Sequence, residues 1–235
     1  LPGISIGHND KAAFSLTIFP IDQEDLYVYR TKPDDPDSYA YGDGFERMRH
    51  VEERVPVKGC PDQTVTLKFT RHGPIVYEDR ARNLAYAVRT VWLEPGSAPY
   101  LSSLGYQNAS TVEAFEQALQ SWSVPSTNQV YADVNGKIAW MPACKSPVRK
   151  GYDGMTPVPG DGRYEWDGFH SQKEFPREIA PSRGYVASSN EMNLPPGPAQ
   201  ELNIGYEFTD PFRAQRSREV LDAKPTHTLE DSCKL

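Results

Sequence analysis

Long apolar runs are missing from this sequence. No stretch of about 18 consecutive apolar residues occurs, so no segment reads as a membrane-spanning helix. Basic residues are outnumbered, 25 Lys and Arg against 32 Asp and Glu, for a net charge of -7. Binding a phosphate backbone needs a basic face, which excludes nucleic acid as the partner. Cysteine is scarce: Cys60, Cys144 and Cys233 stand singly. They offer no disulfide framework and no paired C-x-x-C spacing for zinc. Common catalytic signatures are absent as well. There is no G-x-S-x-G elbow, no P-loop and no G-x-G-x-x-G. The five histidines (His8, His50, His72, His170 and His227) show no H-E-x-x-H or other ligand spacing.

What is present is a globular composition of 235 residues, 38% hydrophobic, with 17 Gly and 21 Pro to make turns and 13 Tyr, 9 Phe and 4 Trp as large core pieces. The pattern is β-dominated. Short strands are expected over residues 4–31, broken by the loop "FPIDQED". A half-buried strand is expected over "QTVTLKF", where Val65, Leu67 and Phe69 recur at period two. "RGYVASSNEMN" reads as another short strand, and "GMTPVPGDGRYEWDGF" as an ordered loop. The first clear helix starts at "NASTVEAFEQALQSW". Ser110 and Glu113 make a capping box there, and Val112, Phe115, Ala118, Leu119 and Trp122 share one face. Asp210 and Pro211 suit the Ncap and N1 of a second helix, and a third begins after Thr228. "NQVYADVNGKIAW" reads as a hairpin closed by Asn135–Gly136, a pair that favours positive φ at both central residues. No linker divides the chain, so the reading is β-dominated α/β or α+β, one fragment of a layered fold over 1–235. With neither an initiator Met nor a signal peptide before Leu1, the chain reads as part of a longer polypeptide.

Three groups of residues invite chemical readings. Asn128 stands at the mouth of the incoming hairpin strand. Its amide could cap backbone locally, or donate to charge developing on a substrate carbonyl oxygen. Arg149 lies beyond the hairpin, where a guanidinium could orient that amide or sit at the surface. Asp161, Glu165 and Asp167 lie among Tyr164 and Trp166, a mix that suits a carbohydrate-binding module or a glycosidase, or simply a solvated turn. Asp22, Glu24 and Asp25 gather oxygen ligands of the kind calcium takes, though an acidic loop is more often solvated.

Five phrases in order carry a resemblance: "PGISIGHND", "TIFPIDQEDLYVY", "TRHGPIV", "NQVYADVNGKIAW" and "PVPGDGRYEWDGF". Together they resemble the central part of the β chain in the penicillin amidase family of N-terminal nucleophile hydrolases. The resemblance implies a four-layer αββα fold, of the α+β class. It implies an autoproteolysed amidohydrolase acting on the acyl-amide bond of a β-lactam, an acyl-homoserine lactone or a related N-acyl compound. The nucleophile would be the N-terminal Ser of the β chain, expected several dozen residues before Leu1, with its own α-amine as base. The partners implied are an α chain and the rest of the β chain. On this reading the 235-residue chain has no turnover by itself. The resemblance assigns Asn128 and the backbone N–H of Ile18 to the oxyanion hole, Arg149 to holding that Asn, and Ile6 to the acyl pocket. It places Asp22, Glu24 (through its carbonyl) and Asp25 in a structural calcium site. It also implies a periplasmic or secreted protein. Cys144 replaces a Gly common in its turn, which implies only a change of packing.

Overall fold

The computed structural model describes residues 3–97, 101–195, 202 and 204–234, so Leu1 lies outside the described residues. The chain packs as two compact units, one of Leu1–Asp22, Gly96–Ser146 and His170–Leu235, the other of Gln23–Pro95 and Pro147–Phe169. Strands are numbered β1–β15 in chain order.

The first unit is built on an antiparallel sheet in the order β1 (Gly7–His8), β2 (Ala12–Ile18), β10 (Thr127–Asp133), β11 (Ile138–Ala143), β15 (Glu178–Ile179). Side chains alternate across a sheet, so one set from each strand shares a face. Phe14, Tyr131, Ala139 and Met141 make up one such set. They pack with Tyr106 of α1 (Ser102–Tyr106), with Val112, Phe115 and Leu119 of α2 (Val112–Leu119), and with Trp122. The apolar helical stripe expected from sequence is therefore the face that α2 buries. Its cap is Thr111, not Ser110. Thr111 has extended backbone, φ -137° and ψ 157°, and its hydroxyl accepts from Ala114 N. That geometry defines an Ncap, one residue later than the capping-box pattern suggests.

The hairpin β10–β11 forms as expected, with Asn128 opposite Pro142 and Val130 opposite Trp140. Its turn differs from expectation. Only Gly136 takes positive φ, at 80°. Gly136 N donates to Asp133 O, while Asp133 Oδ1 accepts from the backbone N of both Asn135 and Lys137. An Asx-type turn with a glycine bulge has displaced the two-residue form, because the Asp133 carboxylate supplies acceptors that the tighter turn would leave unused.

The second unit holds a four-stranded sheet, β13 (Val158–Pro159), β3 (Glu24–Arg30), β9 (Leu84–Thr90), β8 (Ile75–Asp79). It also holds the paired ribbons β4 (Ser38–Tyr41) with β5 (Gly44–Arg47), β6 (Arg49–Val55) with β7 (Gln63–Phe69), and β12 (Pro147–Arg149) with β14 (Trp166–Phe169). Tyr27, Tyr29, Tyr39, Met48, Ala85, Ala87 and Val158 are its core.

Five expectations change here. Val65 and Leu67 on β7 are exposed, because β6 and β7 pair only with each other and no layer covers them. Glu24 and Asp25 are strand residues, not loop residues. The Gly-rich segment contributes strands β13 and β14, and no strand forms over 183–193. Lastly, α3 (Phe212–Asp222) has Pro211 at its N-cap and no side-chain cap, so Asp210 does not cap it. The final helix, α4 (Leu229–Lys234), begins after Thr228 as read. All three cysteines are free, and burial pushes the Cys144 thiol far up. Cys144 packs with Phe19 and Phe175, a purely apolar role. No helix among the described residues is long and apolar enough to cross a membrane.

Candidate functional site

Asn128 lies on the sheet face opposite the α2 core, and only 1% of it is exposed. All four hydrogen-bonding positions of its amide are used. Oδ1 accepts from Trp140 Nε1 at 2.8 Å and from Asn193 Nδ2 at 2.9 Å. Nδ2 donates to Thr17 Oγ1 at 3.2 Å and to Ile18 O at 3.1 Å. An indole N–H can only donate and a backbone carbonyl can only accept, so these partners fix which way the amide faces. Its NH2 group is held toward the end of β2. Both acceptors have other partners: Thr17 Oγ1 bonds Ser188 Oγ at 2.9 Å, and Ile18 O accepts from Asn190 Nδ2 at 2.8 Å. If the Asn128 N–H groups turned to another acceptor, neither Thr17 nor Ile18 would lose its last bond. Such an exchange avoids the cost of stranding a buried polar atom.

Ile18 ends β2 opposite Thr127. Phe19 N donates to Ser126 O, which makes the next pair inward, Ile18 and Thr127, a non-hydrogen-bonded one. The Ile18 N–H is therefore directed away from β10, and the residue is 64% exposed. Ile6 stands just before β1 and is also exposed.

Sequence reasoning did not single out Trp140 or Asn193. Trp140 could have been found: with Asn128 opposite Pro142, the hairpin register puts residue 140 on the same face, one diagonal step away. Asn193, 65 residues further on, carries no local signal. Trp140→Phe keeps the ring and removes the donor. If Asn128 donates to a developing oxyanion, this variant of the full-length protein should lose about tenfold in kcat with KM unchanged, the size of one hydrogen bond. An unchanged kcat would show that Asn128 needs no such holding.

The bonds described for Arg149 lie within the second unit. Its Nε donates to Asp25 Oδ2 at 2.9 Å and Oδ1 at 3.1 Å, and its Nη2 to Glu24 O at 3.4 Å. Asn128 Oδ1 itself is held by Trp140 and Asn193. Asp25 Oδ2 also accepts from Tyr152 Oη at 3.2 Å and from Trp166 Nε1. Trp166 is therefore buried and bonded, not a platform for a sugar ring. Glu165 is held by His72, Tyr41 and Arg89. Asp161 pairs with Arg163 and Asp167 with Lys150. Trp166 and Glu165 thus belong to an internal network, and Asp161 and Asp167 to surface ion pairs, in place of the carbohydrate and glycosidase readings. Asp22 belongs to the first unit, where its N–H donates to Ile204 O at 2.7 Å. No group of three or more His, Cys, Asp or Glu side chains placed to hold a metal ion occurs among the described residues.

His72 is the hub of that network. It stacks on Tyr27 with ring centroids 3.9 Å apart, bonds Tyr29 Oη through Nδ1, and bonds Glu165 through Nε2 at 2.8 Å. Burial holds its pKa below the ordinary imidazole value, and Glu165 only partly opposes this. Glu165 is itself pushed up by burial, but its bond with His72 and its other donors bring it net down. The sign follows. The unfolded His72 takes up a proton near pH 6.5 while the folded one resists, so stability falls as pH drops below about 6.5. Glu165 adds a further loss at lower pH, as it protonates. Denaturant midpoints measured at pH 7.5 and 5.5 should show this decline, and His72→Asn should flatten it. A midpoint that does not change across that window would contradict the assignment.

The penicillin amidase family matches residues 1–235, the whole chain, and the chain belongs to that family. Among curated relatives, it is 29% identical to penicillin acylase 2 proenzyme from a Pseudomonas species over 100% of this chain and 30% of that protein. It is 28% identical to penicillin G acylase from Escherichia coli, covering 98% and 27%, and 28% identical to acyl-homoserine lactone acylase QuiP from Pseudomonas aeruginosa, covering 100% and 29%. The chain thus spans less than a third of the length of these relatives. A solved structure of the thermostable penicillin G acylase from Alcaligenes faecalis superposes with a TM-score of 0.88 at 24% identity, covering 98% of this chain and 41% of that one. At that identity the match carries the fold alone, that of an N-terminal nucleophile hydrolase.

Proposed function

We propose that this chain supplies the electrostatic half of an amidase site. The whole protein would cleave the acyl-amide bond of an N-acyl small molecule, in the class of β-lactam side chains and acyl-homoserine lactones. The carrying observation is the Asn128 amide, locked by Trp140 and Asn193 with its NH2 group toward the end of β2. Family membership and the names of the relatives support the reaction class. In the reaction as proposed, a Ser at the N-terminus of the mature β chain attacks the amide carbonyl. The tetrahedral oxyanion accepts from Asn128 Nδ2 and from the Ile18 N–H. Collapse of that intermediate breaks the C–N bond, releases the amine with a proton and leaves the acyl group as an ester on the Ser, which water then hydrolyses to the free acid.

Donors fixed beforehand cost no reorganisation when charge develops, which is why an oxyanion hole accelerates the step. Ile is acceptable at position 18 because the donor there is backbone. Ile6 would face the acyl group. An α chain released by autoproteolysis and a periplasmic or secreted location complete the proposal.

The test is amine release by the full-length protein from a panel of penicillins, cephalosporins and acyl-homoserine lactones, with mass spectrometry to catch the acyl-enzyme. Hydrolysis through an acylated N-terminal Ser is the expected result. Absence of hydrolysis across the panel, with the precursor correctly processed, would overturn it.

A further inference from the structure

Asp25 follows Glu24 at the start of β3, with its carboxylate enclosed. The side chains of Arg149 and Asp25 are 5% and 2% exposed. The Arg149 guanidinium grips both Asp25 oxygens and reaches the Glu24 carbonyl. Those are two of the three groups through which the family resemblance places calcium. The remaining capacity of Asp25 Oδ2 is taken by Tyr152 and Trp166. This arrangement is built in: Arg149 and Trp166 are cross-strand partners on the β12–β14 ribbon, so one ribbon delivers both donors to the same carboxylate.

Calcium takes six to eight oxygen ligands, commonly several of them carboxylate. Seating it on Asp25 would take that carboxylate from a buried guanidinium and set the guanidinium beside a dication, which is strongly unfavourable. This donor set does not fit the metal.

We infer that Arg149 is the resident cation of the Glu24–Asp25 strand start, and that this part of the protein is held together without calcium. A guanidinium stays charged at any pH the fold tolerates, and no chelator can remove it. The inference stands apart from the proposed chemistry and is read without activity.

The experiment uses the full-length protein and two probes. The first is the melting temperature in EDTA and in millimolar Ca2+. The second is Tb3+ emission sensitised by tryptophan, since the Trp166 indole bonds the carboxylate in question. The wild-type protein should melt at the same temperature in both solutions and give no Tb3+ signal that depends on Trp166. Arg149→Ala frees the carboxylate. It should lower the melting temperature by roughly 5–10 °C, and Ca2+ should then restore part of that loss. Should Arg149→Ala fail to accumulate, Arg149→Gln removes the charge with less loss of packing and is read the same way. Destabilisation of the wild type by EDTA that disappears in Asp25→Asn would overturn the inference, as would Tb3+ emission lost in Trp166→Phe.

Discussion

Asn128→Ala in the full-length protein should lower kcat for amide hydrolysis by about 10²–10³, the usual loss when one oxyanion donor is removed. KM should change little, because the amide is matched to the charge of the transition state and not to the neutral carbonyl of the substrate. The substitution also leaves Trp140 Nε1 and Asn193 Nδ2 without their shared acceptor. Stability should fall by about 1–3 kcal/mol, the cost of leaving buried donors unpaired. Steady-state kinetics and a urea titration on the same preparation separate the two effects. A kcat within a few-fold of wild type would leave Asn128 as a strand-end structural residue.

Asp25→Ala should be the more damaging change to the fold. It would remove the only carboxylate described for Arg149 and strip Tyr152 Oη and Trp166 Nε1 of their acceptor. Breaking a buried pair from one side leaves a charge without compensation, at a cost of about 3–5 kcal/mol. Asp25→Asn should lose less, since an amide oxygen still accepts from Tyr152 and Trp166. The double variant Asp25→Asn with Arg149→Leu should recover part of the loss, because the stranded cation is gone. A urea midpoint for Asp25→Ala equal to wild type would show that the network holds nothing together.

How far the sequence could be read follows from how local each feature is. The α2 stripe and the β10–β11 hairpin were legible because both arise from neighbours in the chain. Their details slipped by a residue where a nearby group competed: Thr111 capped in place of Ser110, and the Asp133 carboxylate reshaped the turn at Asn135. Alternation at Val65 and Leu67 correctly announced a strand but not its burial, since periodicity does not say whether a second layer covers it. The site divides in the same way. Asn128 was visible as an unexplained polar residue at a strand mouth, and only five ordered phrases gave it a chemical meaning. Trp140 was within reach of a register argument, whereas Asn193 was not. Arg149 and Asp25, 124 residues apart, meet through tertiary packing that no spacing encodes. The same holds for His72 and Glu165, 93 residues apart. Reading Trp166 and its neighbouring acids as a sugar site failed for this reason at Trp166 and Glu165, whose partners come from distant parts of the chain.

The central claim is that the Asn128 amide stabilises the oxyanion. The most direct measurement compares the affinity of a tetrahedral phosphonate analogue for full-length wild-type protein and for Asn128→Ala, set beside the change in kcat/KM. If Asn128 acts on the transition state, the analogue should weaken by about the same 10²–10³ that kcat/KM loses, while substrate KM stays put. An analogue that binds both proteins equally well would contradict it.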